Sequence, residues 1–160
     1  MAGSLRSLAG LPVADDGGIV CAERAACPDV TRTDFELMKY LLLIAHGSRR
    51  QSANDEIIHL GERVAALENN GFDGVVTAFL EMAEPDIHQG VELCVEQGAS
   101  HIVVVPYFLA GGNHVSKDIP AEIECARAGL PQQVEIEISQ YLGASTAMAG
   151  LVLDCSRHGA

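Results

Sequence analysis

The stretch MKYLLLIAHGSRR, residues 38–50, carries the decision about the fold. Tyr40–Ala45 is an unbroken apolar run, the pattern of a strand buried on both faces, and strands of that kind belong to parallel sheets. The run passes directly into His46-Gly47-Ser48-Arg49-Arg50, so a histidine and two arginines stand where a parallel strand delivers its loop. Outward from it, short apolar runs alternate with helical periods. Ile57, Leu60, Val64 and Leu67 stripe a helix over Ser52–Asn70, expected to end at Asn70-Gly71. Val75–Leu80 reads as a second strand, and a helix opens at Pro85 with Ile87, Val91, Cys94 and Val95 on one face until Gly98. His101–Val105 is a β-branched third strand, Tyr107–Lys117 a glycine-rich loop, and Asp118 the cap of a helix running through Ala128 to Leu130-Pro131. Val134–Ser139 alternates as an edge strand, and Ser145–Cys155 closes the chain as a helix.

That order, βαβαβαβα, predicts the α/β class. Parallel strands need crossover helices, and right-handed crossovers place them on both sides of one sheet. The expected architecture is a doubly wound, four-stranded parallel sheet with helices on both faces. Residues 1–37 differ in composition from the rest and show no period. They are expected to be a disordered extension, with Met38 as the natural start of a single domain over 38–160.

Composition narrows the function classes. Among 160 residues, 10 are basic and 22 acidic, giving a formal charge of −12. Such a charge excludes a nucleic-acid backbone or an anionic membrane surface as the expected partner. No window approaches the ~18 consecutive apolar residues of a membrane span. The cysteines Cys21, Cys27, Cys94, Cys125 and Cys155 are odd in number and form no C-x-x-C pair, the usage of a reduced, cytoplasmic chain.

In an open parallel sheet, ligands bind beyond the carboxyl ends of the strands. Strand 1 there offers His46, Ser48 and Arg49, strand 2 offers Glu81, and strand 3 offers Leu109-Ala110-Gly111-Gly112-Asn113-His114. Two imidazoles and a carboxylate suit both a divalent first-row metal and proton transfer near neutral pH. Gly111 and Gly112 would let the backbone approach a large flat ligand. Each residue also has an ordinary reading. Glu81 suits a helix start, Tyr107 and Phe108 suit the core, His59 and His88 suit solvated helix faces, His101 suits a strand boundary, and Met82 carries no signal.

LLLIAHGSRR with Asn54, then AFLEMAEPDI, then VVPYFLAGGNHVSKDIP, resembles the class II tetrapyrrole chelatases, and more narrowly the short CbiX-type sirohydrochlorin chelatases. The likeness runs from Met38 to about Tyr141, with three motifs in order. It implies a chelatase fold, a flavodoxin-like half, and ATP-independent insertion of a divalent metal into an anionic reduced tetrapyrrole, sirohydrochlorin. The metal, Co²⁺ favoured with Fe²⁺ or Ni²⁺ as alternatives, is a substrate, and no tightly bound cofactor is expected. The resemblance implies that His46 and His114 bind metal, with His46 taking a pyrrole proton. It implies that Glu81 faces the metal path and that Leu109–His114 lies against the macrocycle. Arg49, Arg50 and Lys117 are candidates for the substrate's carboxylates by charge. One domain supplies half of a two-half chelatase, so a homodimer is expected.

Three other readings compete. A histidine phosphatase places R-H-G after its first strand, but here that order occurs at Arg157-His158-Gly159. An FMN module wants a Ser/Thr-rich phosphate loop, where this chain has His and Arg. A non-catalytic metal or tetrapyrrole carrier needs the same side chains as a chelatase and differs only in turnover.

Overall fold

Strand β1 (Lys39–Ala45) lies in the middle of the sheet, hydrogen-bonded on one side to β2 (Gly74–Phe79) and on the other to β3 (His101–Pro106), with β4 (Glu135–Ile138) outside β3. All pairings are parallel, in the order β2-β1-β3-β4. The computed structural model describes residues 37–131 and 133–157, within a compact unit spanning Glu36–Ala160. The expectation for the first 36 residues lies outside the described residues. No described helix is long and apolar enough to cross a membrane.

The doubly wound expectation holds. Helix α1 (Gln51–Ala65) lies over β2, where Gly61 sits so close that a Cβ there would strike Thr77. Helices α2 (Ile87–Glu96) and α3 (Ile119–Arg127) cover the opposite face. There Leu42, Ile44, Ala78, Val91, Cys94, Ile102, Val104, Ile119 and Ile123 form a fully buried cluster. At ~25 cal/mol per Å² of apolar surface removed from water, this layer is the principal source of stability. Because β1 leads into α1 on one face and β3 leads toward α3 on the other, their loops part. The crevice between them is the topological switch point of the sheet.

Several element ends differ from the sequence reading. Helix α1 stops at Ala65 rather than Asn70, because Asn70 folds back and its Nδ2 donates to the carbonyls of Val64 and Ala65, each at 3.0 Å. Leu67, read as part of the buried stripe, is exposed. Helix α2 begins at Ile87, two residues beyond Pro85, held by a reciprocal capping box between Asp86 and Gln89. The segment read as loop through Lys117 contains a π-turn at His114–Asp118 that runs unbroken into α3. Asp118 therefore has helical φ and ψ and makes no side-chain cap bond, contrary to its expected role. The closing helix α4 (Met148–Arg157) starts three residues late and buries none of its residues, leaving Leu151, Val152 and Leu153 exposed.

Cysteine placement gives a direct check of this packing. Cys94 is fully buried under the sheet, and burial pushes its thiol up to about 12, whereas Cys125 and Cys155 are exposed. A thiol reagent applied to the native protein near neutral pH is expected to modify Cys125 and Cys155 and spare Cys94, as read by peptide mass spectrometry. Labelling of Cys94 at the rate of Cys125 would contradict the buried layer.

Candidate metal centre

Backbone hydrogen bonds carry the strand pairing past the end of the sheet. Leu80 N donates to Ala45 O at 2.8 Å, Glu81 N to His46 O at 2.9 Å, and Tyr107 N to Ile44 O at 2.7 Å. The loops after β1, β2 and β3 are thus drawn to one edge. Gly47 makes the closest approach possible. It has φ +91°, and any Cβ there would run into the Glu81 carbonyl, so both its conformation and its lack of a side chain are required. Asn54, the one buried polar residue among those described, ties the same loop down. Its Oδ1 accepts from Ser48 N and its Nδ2 donates to Ser48 O, both at 2.9 Å.

This framework brings His46, Glu81 and His114 together, with their potential ligand atoms all within 4.8 Å of one another. Two donors on one ion stand at most about 4.4 Å apart, twice a metal–ligand bond of ~2.2 Å, so small side-chain movements would close the triad on a metal. The imidazoles meet edge to face, with ring centroids 5.0 Å apart and planes at 82°. Phe108 backs both, at 6.4 Å from His46 and 6.2 Å from His114. His46 Nδ1 lies 3.2 Å from Gly47 O, and His114 Nδ1 lies 2.8 Å from Asp118 Oδ2. Oxygens of those kinds accept, so each Nδ1 carries a proton, and in the neutral form of each ring the lone pair stands on Nε2.

The remaining expected residues surround this triad. Ser48 Oγ accepts from Arg50 N at 3.1 Å and so shapes the turn. Arg49, Arg50 and Lys117 are exposed, and none is in an ion pair among the described residues. Leu109, Ala110, Gly111, Gly112 and Asn113 form an exposed loop above the histidines. Gly111 has an internal reason to be glycine, since a Cβ would lie 3.2 Å from the Tyr141 hydroxyl, whereas Gly112 faces open space. Two hollows adjoin the triad. One of about 320 Å³ is lined by His46, Ser48, Asn54 and Tyr107, the other of about 280 Å³ by Glu81, Asp118 and Glu122. A groove of about 470 Å³ along α2 has glutamates but no imidazole in its lining.

Three residues escaped the sequence reading. Phe108 packs on the core as its sequence suggests, yet its ring also supports the imidazoles. Gly143 supports the loop from beneath, donating its N–H to Phe108 O at 2.9 Å and packing on the Leu109 backbone so tightly that a Cβ would collide. Asp118 holds His114. Its signal is the i, i+4 spacing, which has meaning only in a helical turn such as the one at His114–Asp118. His88 and His59, by contrast, are not members of the triad and pair with Glu122 at 3.1 Å and Glu62 at 2.9 Å, and Glu62 raises the His59 pKa.

Residues 40–158 match the CbiX family. A sirohydrochlorin cobaltochelatase of Methanocaldococcus jannaschii is 31% identical, the match covering 73% of this chain and 96% of the relative. A sirohydrochlorin ferrochelatase of Priestia megaterium is 32% identical over 76% of this chain but only 44% of its own length. The crystal structure of the sirohydrochlorin chelatase SirB from Bacillus subtilis subspecies spizizenii, in complex with cobalt, superposes with a TM-score of 0.66 at 32% identity, covering 74% of this chain and 50% of that one. The chain thus spans nearly all of a short relative and about half of the long ones. With sequence, fold and the length of the match in agreement, this chain belongs to the CbiX family.

Proposed function

We infer that this protein inserts a divalent metal ion into sirohydrochlorin without ATP, with Co²⁺ the favoured metal. The observation that carries the reading is the meeting of His46, Glu81 and His114, from three separate loops, at the switch point of the sheet. The names of the similar chelatases supply the substrate. They divide between cobalt and iron, and two imidazoles with a carboxylate also accept Ni²⁺.

Insertion breaks two pyrrole N–H bonds, releases two protons and replaces the ion's water ligands with ring nitrogens. His46 and His114 present free Nε2 lone pairs and hold the ion on one side of the ring. As the ion passes to the ring nitrogens, the vacated Nε2 of His46 takes up one pyrrole proton and passes it to water, and the second proton leaves to solvent. Glu81 is exposed on a flexible side chain, offsets the ion's charge and stabilises the imidazolium that forms. Ser48 and the loop Leu109–Asn113 lie against the macrocycle, where the exposed side chain of Leu109 offers an apolar surface. Arg49, Arg50 and Lys117 meet its carboxylates. The protein works in the cytoplasm, a compartment that suits the free thiols of Cys94, Cys125 and Cys155.

Longer relatives carry about twice this length, so a second copy of this chain supplies the other wall as a symmetric homodimer. Light scattering on a sizing column is expected to give twice the chain mass. A fully active monomer would defeat the two-copy cleft.

The activity itself is tested by an anaerobic absorbance time course of sirohydrochlorin with Co²⁺, Fe²⁺ or Ni²⁺, substrate in large excess over protein. Multiple turnovers are expected, with His46→Ala, His114→Ala and Glu81→Gln each slower by ~10²-fold or more. Binding without turnover would leave a carrier in place of an enzyme, and no spectral change would end both readings.

A further inference from the structure

We propose that Asp118 is a positioning residue for His114, its carboxylate fixing the imidazole tautomer that turns an unprotonated Nε2 toward the metal. The inference rests on the reading of His114 as a metal ligand.

An aspartate before Ile119-Pro120 would ordinarily cap the helix that follows, its oxygen accepting from the second or third backbone N–H. Here that role is closed. Pro120 has no N–H to offer. The backbone at Asp118 is helical, with φ −71° and ψ −51°, and Ile119 N already donates to His114 O across the π-turn. Freed from capping, the carboxylate faces back along the turn to His114, four residues earlier, and accepts its Nδ1–H at 2.8 Å.

The ring is held on its other sides as well. Phe108 packs at 6.2 Å with planes at 40°, and His46 meets it edge-on at 5.0 Å. With Nδ1 engaged and both neighbours in place, Nε2 is the nitrogen left for an ion. One turn further along α3, Glu122 pairs with His88 of α2 at 3.1 Å and anchors the helix that carries Asp118. The two imidazoles differ in this respect. His46 Nδ1 faces a backbone carbonyl, which no substitution removes, so Asp118 is the side chain through which the orientation of the pair can be altered. Outer-shell carboxylates of this kind orient a ligating histidine and raise its strength as a ligand. His114 and Asp118 are both about half exposed, so their pair adds little to folding, and a loss at Asp118 should register at the metal rather than in stability.

The discriminating variant is Asp118→Asn. It preserves the shape, but its amide can donate to Nδ1 and thereby favour the tautomer protonated at Nε2, which blocks the lone pair. Proton–nitrogen correlation spectra of the apoprotein are expected to show His114 protonated at Nδ1 in the wild type and at Nε2 in Asp118→Asn. Calorimetric titration with Co²⁺ alone is expected to show ~10- to 100-fold weaker binding in Asp118→Asn and in Asp118→Ala, with circular dichroism unchanged. An unchanged tautomer in Asp118→Asn, or unchanged Co²⁺ affinity in both variants, overturns the inference. His114→Ala is the control. If it binds Co²⁺ as the wild type does, the metal-ligand reading falls and this inference with it, whereas a weakened His114→Ala beside an unaffected Asp118 pair rejects the inference alone.

Discussion

Everything at the candidate centre depends on β1 being paired on both sides. A strand in the middle of a parallel sheet fixes two neighbours in register, and here the residues just after β2 and β3 stay bonded to its end, through the carbonyls of Ile44, Ala45 and His46. Each such bond contributes only ~1 kcal/mol net. Their effect on geometry is larger, because they set the height at which three loops leave the sheet. The Gly47–Glu81 approach then locks two of those loops backbone against backbone. His46 and Glu81 are consequently placed by main chain, not by mobile side-chain contacts.

Charge acts on this centre in two opposite ways. A chain with 22 acidic and 10 basic residues attracts a divalent cation and repels an anionic ring. Long-range attraction thus serves one substrate of the proposed reaction and opposes the other. Screening confines the opposing field to about 8 Å at physiological salt. Arg49, Arg50 and Lys117, all exposed on the loops that carry His46 and His114, are the cations that oppose this field locally. The apolar side chains of Met82 and Leu109 are exposed on two of the same loops, and the proposed contact with a flat ring would not depend on charge.

The sheet was legible because burial leaves a direct mark on sequence. Tyr40–Ala45 must be apolar on both faces, and each of the four strands showed as a short run at its true place in the chain. The helix ends were less legible, since they turn on single side-chain bonds such as those of Asn70 and the Asp86–Gln89 box. The two histidines and Glu81 could be found by their position after strands. That Asp118 faces His114 could not, because a five-residue π-turn has no periodic pattern and the glycines before it spoke for a loop. Helix α4 misled for a different reason. Its apolar residues have the composition of a packed helix, yet among the described residues nothing buries them.

The irregular backbone gathers around the centre. Gly47 at φ +91°, Met82 at φ +61° and the π-turn at His114 stand one in each of the three converging loops. A non-glycine residue with positive φ costs of order 1 kcal/mol or more, and π-turns have poorer hydrogen-bond geometry than the helix they interrupt. Elsewhere among the described residues, positive φ values fall at Asn69, Gly71 and Gly98, beyond helix ends where chains ordinarily turn. A fold under selection for stability alone would straighten the three loops. Each distortion instead brings a member of the candidate triad or its support to the same point: Gly47 admits Glu81, the turn at Met82 follows Glu81 directly, and the π-turn leaves the Asp118 carboxylate facing His114. The regular layers of sheet and helix supply the stability that these local costs draw down, and the centre exists because that surplus is available at the carboxyl edge of β1.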